Sequence, residues 1–98
     1  MIEYLYNAIV ASAGTDIEII ARITDANGAP VTSNCNLMLY DKNGAMLGVC
    51  EGSILDTSGY WRFFIPAEET ENIEKDRYYY CIREGNNTLC FKEPLYLV

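Results

Sequence analysis

Ninety-eight residues with seven Lys and Arg against fourteen Asp and Glu give a net charge of −7. That charge repels phosphate backbones and anionic lipid, so neither nucleic acid nor a membrane surface is an expected partner. Histidine is absent, which excludes imidazole acid/base chemistry, Ser-His triads and His-ligated metals.

Half of the residues are hydrophobic and 21 % charged, the balance of a globular chain rather than a disordered one. A chain of this length buries roughly 65 % of its extended surface, enough for one core, so a single domain over residues 1–98 is expected. Met1-Ile2-Glu3 is not a basic leader region, and no apolar run approaches the roughly 18 to 20 residues that span a bilayer. A soluble chain made in the cytoplasm follows as the expectation.

The dominant hydrophobic period is two, with turn signals roughly every 8 to 15 residues, as in an antiparallel all-β domain. Ile2–Tyr6 with Ala8-Ile9-Val10 reads as a first strand, ended by Ser12-Ala13-Gly14. Ile17–Ile23 alternates so that Ile17, Ile19, Ala21 and Ile23 share one face while Glu18 and Arg22 face away. Asp25-Ala26-Asn27-Gly28 and Asp41-Lys42-Asn43-Gly44 carry the Asp/Asn and Gly of tight turns. The second of them joins Cys35–Tyr40 to Ala45–Glu51 as a hairpin. Neither offers the further acids or the terminal bidentate Glu of a calcium loop, so the turn reading is preferred.

Ser58-Gly59 opens a strand Tyr60–Ile65 that Pro66 stops, and the acidic Ala67–Arg77 follows as a helical turn or long corner. Tyr78–Arg83 and Thr88–Lys92 flank Glu84-Gly85-Asn86-Asn87 as a second hairpin, and Pro94 leads into a terminal Leu95–Val98. The expectation is all-β: a seven-stranded antiparallel β-sandwich of immunoglobulin-like or fibronectin-like size.

Cys35, Cys50, Cys81 and Cys90 have no C-x-x-C spacing, which argues against zinc, and no cofactor is expected. A two-residue loop at Gly85-Asn86 would set Cys81 opposite Cys90 across the hairpin. Cys35 and Cys50 would lie opposite, or within one residue of opposite, across the Asn43-Gly44 turn. Either pair could be thiols or a disulfide; a reducing cytosol favours thiols. Five of the fourteen acids crowd Glu68–Asp76, which reads as a solvated corner and not a catalytic carboxylate pair. Asn86-Asn87-Thr88 matches a glycosylation sequon, taken as incidental in a chain without an export signal.

Twelve aromatics, eight of them tyrosine, exceed what such a core needs. Tyr78, Tyr80 and Ile82 share a face that the same register extends to Leu89 and Phe91, which makes it the core face. The opposite face carries Tyr79, Cys81, Arg83, Thr88, Cys90 and Lys92, and the neighbouring strand adds Met38 and Tyr40 if Leu37 and Leu39 point inward. Met38, Tyr40, Tyr79, Arg83 and Lys92 then have the composition of a protein–protein interface, against the plainer alternative of a solvent face that tolerates tyrosine.

Asp25-x-Asn27-Gly28-x-Pro30, Leu39-Tyr40-Asp41-x-x-Gly44, Gly59-Tyr60-Trp61-x-Phe63-x-Ile65-Pro66, Tyr78-Tyr79-Tyr80-Cys81-Ile82 and Lys92-Glu93-Pro94-Leu95-Tyr96-Leu97-Val98 form a pattern over residues 17–98. It resembles the small immunoglobulin-like domains of tailed-bacteriophage virion proteins. The resemblance implies a non-enzymatic structural protein located in the virion, in particular a capsid auxiliary or decoration protein. Its partners would be other virion structural proteins, and it would be homo-oligomeric or capsid-bound. The alternative is a carbohydrate- or receptor-binding module of a tail, baseplate or bacterial surface protein, with Tyr60, Trp61 and Tyr40 stacking on sugar rings.

Overall fold

A computed structural model describes residues 1–7 and 10–98; of Asn7 and Phe91 the backbone alone is described. The strands are β1 (Ile2–Asn7), β2 (Val10–Ala11), β3 (Ile17–Ile23), β4 (Cys35–Tyr40), β5 (Met46–Glu51), β6 (Ser53–Ile54), β7 (Tyr60–Ile65), β8 (Arg77–Glu84) and β9 (Asn87–Leu97). One helical turn, α1 (Ala67–Thr70), sits in the expected acidic corner. Sheet order is β1-β3-β7-β6 in a four-stranded layer and β2-β9-β8-β4-β5 in a five-stranded one. Among the described residues there are nine strands where seven were expected, a rough agreement in which two pieces of two residues each complete the layers.

The period-two segments supply the core. Ile17, Ile19, Ala21 and Ile23 of β3 are at most 1 % exposed, and Trp61, Phe63 and Ile65 of β7 line up beside them. From the other layer come Cys35 and Leu37 of β4, Tyr78, Tyr80 and Ile82 of β8, and Leu95 and Leu97 of β9. β3 and β7 bury every second side chain against the facing sheet, as a two-layer sandwich requires.

Three Asp-x-x-Gly turns repeat one construction. In the first, the Asp25 carboxylate accepts from the backbone N–H of Asn27 and Ala29, and Gly28, at φ +81°, donates to the Asp25 carbonyl. Asp41 binds Asn43 and Ala45 in the same way ahead of Gly44, and Asp56 binds Ser58 ahead of Gly59. These carboxylates are spent on backbone amides, and that is why loops rich in Asp and Asn here are turns.

Two expected elements are corrected. The first strand divides: β1 pairs with β3 in one sheet while β2 pairs, in parallel, with the end of β9 in the other. Ala8 and Ile9 of that expected strand lie outside the described residues. The last two expected strands are one, since β9 runs from Asn87 to Leu97 straight through Pro94. Proline is tolerated there because, among the described residues, only β2 pairs with the outer side of β9, at Tyr96 and Leu97, and no described strand asks Pro94 for an N–H.

Candidate interaction surface

The outward face of the five-stranded sheet is built by the β4–β8 register, which sets Tyr40 opposite Tyr79, Met38 opposite Cys81 and Asn36 opposite Arg83. Leu37 and Leu39 face the core, so Met38 and Tyr40 face out. A cavity of about 270 Å³ opens between Tyr40, Tyr79, Cys81, Lys92 and the Asp41–Gly44 turn. The Tyr79 ring lies 5.8 Å from Lys92 Nζ and 5.4 Å from the Arg77 guanidinium carbon, within reach of a cation–π attraction. Tyr40, Tyr79 and Lys92 therefore converge on one cavity; Met38 and Arg83 share the face farther along it. Arg83 Nε is buried with no hydrogen-bond partner. Four of the seven cations, Lys42, Arg77, Arg83 and Lys92, gather on or beside this face of an otherwise acidic protein, Lys42 being paired with the Asp76 carboxylate at 2.8 Å.

The cysteine pairings are corrected. Glu84 pairs with Asn87 and Arg83 with Thr88, as the Gly85-Asn86 loop requires, but Cys90 then pairs with Ile82 and Glu93 with Tyr80. Two single-residue bulges on β9 cause the slips, the second at Lys92, whose φ is +55°. Cys81 faces outward into the cavity, whereas Cys90 turns inward, where it accepts a hydrogen bond from the Tyr4 hydroxyl at 3.8 Å. Across β4–β5, Cys50 pairs with Leu37, and Cys35 stands two residues farther along, bonded through its carbonyl to Gly52 N. A bulge between Leu39 and Tyr40 displaces that register. All four cysteines are free thiols.

Burial pushes the Cys35 thiol up to about 11, with the Glu84 carboxylate adding to the effect. Burial likewise raises Cys50 and Cys90, and it raises the Tyr4 hydroxyl, which also bonds Tyr80. A raised folded-state pKa means that the fold holds its proton while the unfolded chain releases one. Stability should therefore be level below about pH 9 and fall as the pH climbs through about 11, Cys35 contributing at most about 1.4 kcal/mol per pH unit in that window. Urea midpoints of the wild type and Cys35→Ala across this range measure it; an equally steep fall in both would show that Cys35 is not the titrating group.

The sugar-stacking trio does not assemble. Trp61 is 3 % exposed in the core, its indole N–H donating to the Val31 carbonyl at 2.8 Å. Tyr60 lies on the outside of the four-stranded sheet and Tyr40 on the outside of the other. Among the described residues no group of cysteines and carboxylates is placed to hold a metal ion.

What the sequence reading missed is at the sides of the sandwich. Among the described residues, the large apolar side chains that stand exposed lie along two lateral margins. Met1, Leu5, Tyr6, Val10, Tyr96 and Val98 flank β1 and β2; Met46, Leu47, Val49, Ile54 and Leu55 flank β5 and β6. The signal was present in Met46-Leu47-Gly48-Val49-Cys50, a strand without a polar alternate. Beneath β5 a further cavity of about 280 Å³ runs between Leu39, Leu47, Val49, Ile65 and Ile73.

No protein-family model matches this chain, and no curated protein matches its sequence. Among solved structures it is similar to the Lin-41 filamin domain, at a TM-score of 0.67 and 11 % identity over 99 % of this chain and 91 % of that one. At that identity the likeness establishes the fold alone: an immunoglobulin-like β-sandwich.

Proposed function

We propose that this chain is a non-enzymatic protein-interaction module whose Tyr40, Tyr79, Lys92 and Arg83 face docks on a neighbouring subunit of a larger particle. The observation that carries the reading is the convergence of two tyrosines and a cation on one cavity. Aromatic and Arg anchors dominate association energies. The cations gathered on an acidic molecule suit a partner surface bearing carboxylates. The fold fits binding, and burial holds the Cys35, Cys50 and Cys90 thiols protonated, which leaves these three poor nucleophiles. The sequence resemblance supplies the setting, a tailed-phage virion, with the chain as an auxiliary or decoration protein of the capsid.

Co-sedimentation with empty tailed-phage capsids tests this, alongside binding to a glycan array. The wild type should pellet with capsids and leave the array blank. Tyr79→Ala and Arg83→Glu should fold normally and lose at least about tenfold in capsid affinity, roughly the 1.4 kcal/mol or more of an anchor residue. Charge reversal of Glu69 and Glu71, in the exposed acidic corner, should be nearly silent. Glycan binding without capsid binding would replace this reading with the receptor-binding one.

A further inference from the structure

The two apolar margins border the cationic face, Met46 standing beside Tyr40, Val49 beside Met38 and Tyr96 beside Arg77, and extend from it to β1 and β6 of the other sheet. Their strand directions carry the inference. In the four-stranded sheet, three antiparallel steps separate β1 from β6. In the five-stranded sheet, one parallel and three antiparallel steps separate β2 from β5. The outer strands of each sheet therefore run in opposite directions. A second copy set beside the first in the same orientation brings its β1 antiparallel to β6 and, at the same time, its β2 and β9 antiparallel to β5. Both sheets would continue from one sandwich into the next with the hydrogen-bond pattern they already use.

Composition and area agree. Free edges in monomeric proteins are guarded by Lys, Pro or inward charges. Here β5 and β6 carry none of these, Glu51 at the end of β5 being their sole charge, and β1 has Glu3 alone, whereas on the β2 side Pro94 of β9 confines pairing to the segment around β2. Six large apolar side chains of one margin and five of the other stand between 39 % and 76 % exposed, apolar area that such a contact would cover.

We propose that copies of this chain associate head to tail, the β5–β6 margin of one joining the β1–β2 margin of the next. The contact is heterologous, so it propagates into a ring or an open chain and does not stop at a two-fold dimer. Each copy carries a charge of −7, so the association is opposed at low ionic strength and strengthens as salt screens it.

Sedimentation velocity over a concentration series, at low and high salt, tests this. The wild type should grow past dimer with concentration, and more so in high salt. Val49→Lys with Ile54→Lys blocks one margin, and Leu5→Lys with Val10→Lys blocks the other. Each double variant alone should be monomeric, with association weakened at least about tenfold. An equimolar mixture of the two should form dimers and nothing larger, because one intact margin of each kind remains. Near-ultraviolet circular dichroism of Trp61 verifies folding, and Val49→Lys and Leu5→Lys singly replace any pair that fails it. A wild type that stays monomeric overturns the proposal, as does a Leu5→Lys, Val10→Lys variant that still dimerises, the mark of a symmetric β5 contact. Tyr79→Ala should self-associate like the wild type; if it does not, copies meet through the cationic face and the margins are not the contact. Because that face is assayed by capsid co-sedimentation, either proposal can fail alone.

Discussion

Trp61→Ala should lower the unfolding free energy by about 4 kcal/mol, the middle of the range for removing a buried Trp ring. The ring is enclosed between the layers: Trp61 stands opposite Ala21 of β3 on one side and Ile54 of β6 on the other, with Phe63 two positions along the same face. Its neighbours are held by sheet hydrogen bonds and cannot collapse into the space, so the cavity remains and adds to the lost transfer energy. The indole N–H is a second contribution. Without it the Val31 carbonyl, which lies next to the core at 6 % exposure, loses its bond of 2.8 Å. Trp61→Phe separates the two, keeping most of the apolar volume and giving up the bond, and should cost about 1 to 3 kcal/mol. Against a total of roughly 5 to 15 kcal/mol for a domain, the alanine variant should melt at a much lower urea concentration with an unchanged slope. A full-stability Trp61→Ala that failed in binding would instead make the ring a ligand platform, contrary to its position in the core.

What could be read from the residues alone was local chemistry. The Asp-x-x-Gly turns at Asp25 and Asp41 form as read because the carboxylate and the glycine lie in one short segment, and Asp56-Thr57-Ser58-Gly59 was legible by the same logic. The inward sets Ile17–Ile23 and Tyr78, Tyr80, Ile82 were legible because polar alternates fix which face is wet. The register of β9 was legible only for its first two pairs. Past Thr88, bulges let the consecutive Leu89 and Cys90 both pack against the core. The second bulge places Lys92, a residue with no local preference for it, in the left-handed region. The two slips cancel in side-chain direction, so Leu95 and Leu97 still point inward. Only contacts made across the sandwich select that arrangement, and no window of a few residues contains them.

The candidate site divides in the same way. Tyr40, Tyr79 and Lys92 could be assigned to one face from alternation, and the structure does bring them to one cavity. The margins could not be assigned, because whether a strand is an edge depends on sheet order. Met46-Leu47-Gly48-Val49-Cys50 reads as a buried strand by composition, yet nothing pairs with its outer side among the described residues.

Two glycines in that region should respond oppositely to the same substitution. Gly52 turns the chain from β5, the edge of one sheet, into β6, the edge of the other, and its N–H donates to the Cys35 carbonyl at 2.9 Å. A Cβ there would stand 2.6 Å from that carbonyl oxygen, 2.7 Å from the Phe63 ring and 3.0 Å from the Trp61 ring. Two of these neighbours are core aromatics without room to retreat and the third is backbone, so Gly52→Ala must push the crossover outward and stretch the bond. Overpacking of about 1 to 3 kcal/mol and the weakened hydrogen bond together put the loss at about 3 kcal/mol. Gly48, four residues earlier on the exposed edge, has nothing within 4 Å of a Cβ and no positive φ. Gly48→Ala should therefore be neutral or stabilising by about 0.5 kcal/mol, by restricting the unfolded chain. Urea melts of the two variants beside the wild type decide it. A Gly52→Ala protein as stable as Gly48→Ala would mean that the β5–β6 crossover does not press on Phe63 and Trp61, and that the two edge strands of this margin are not locked together through the core.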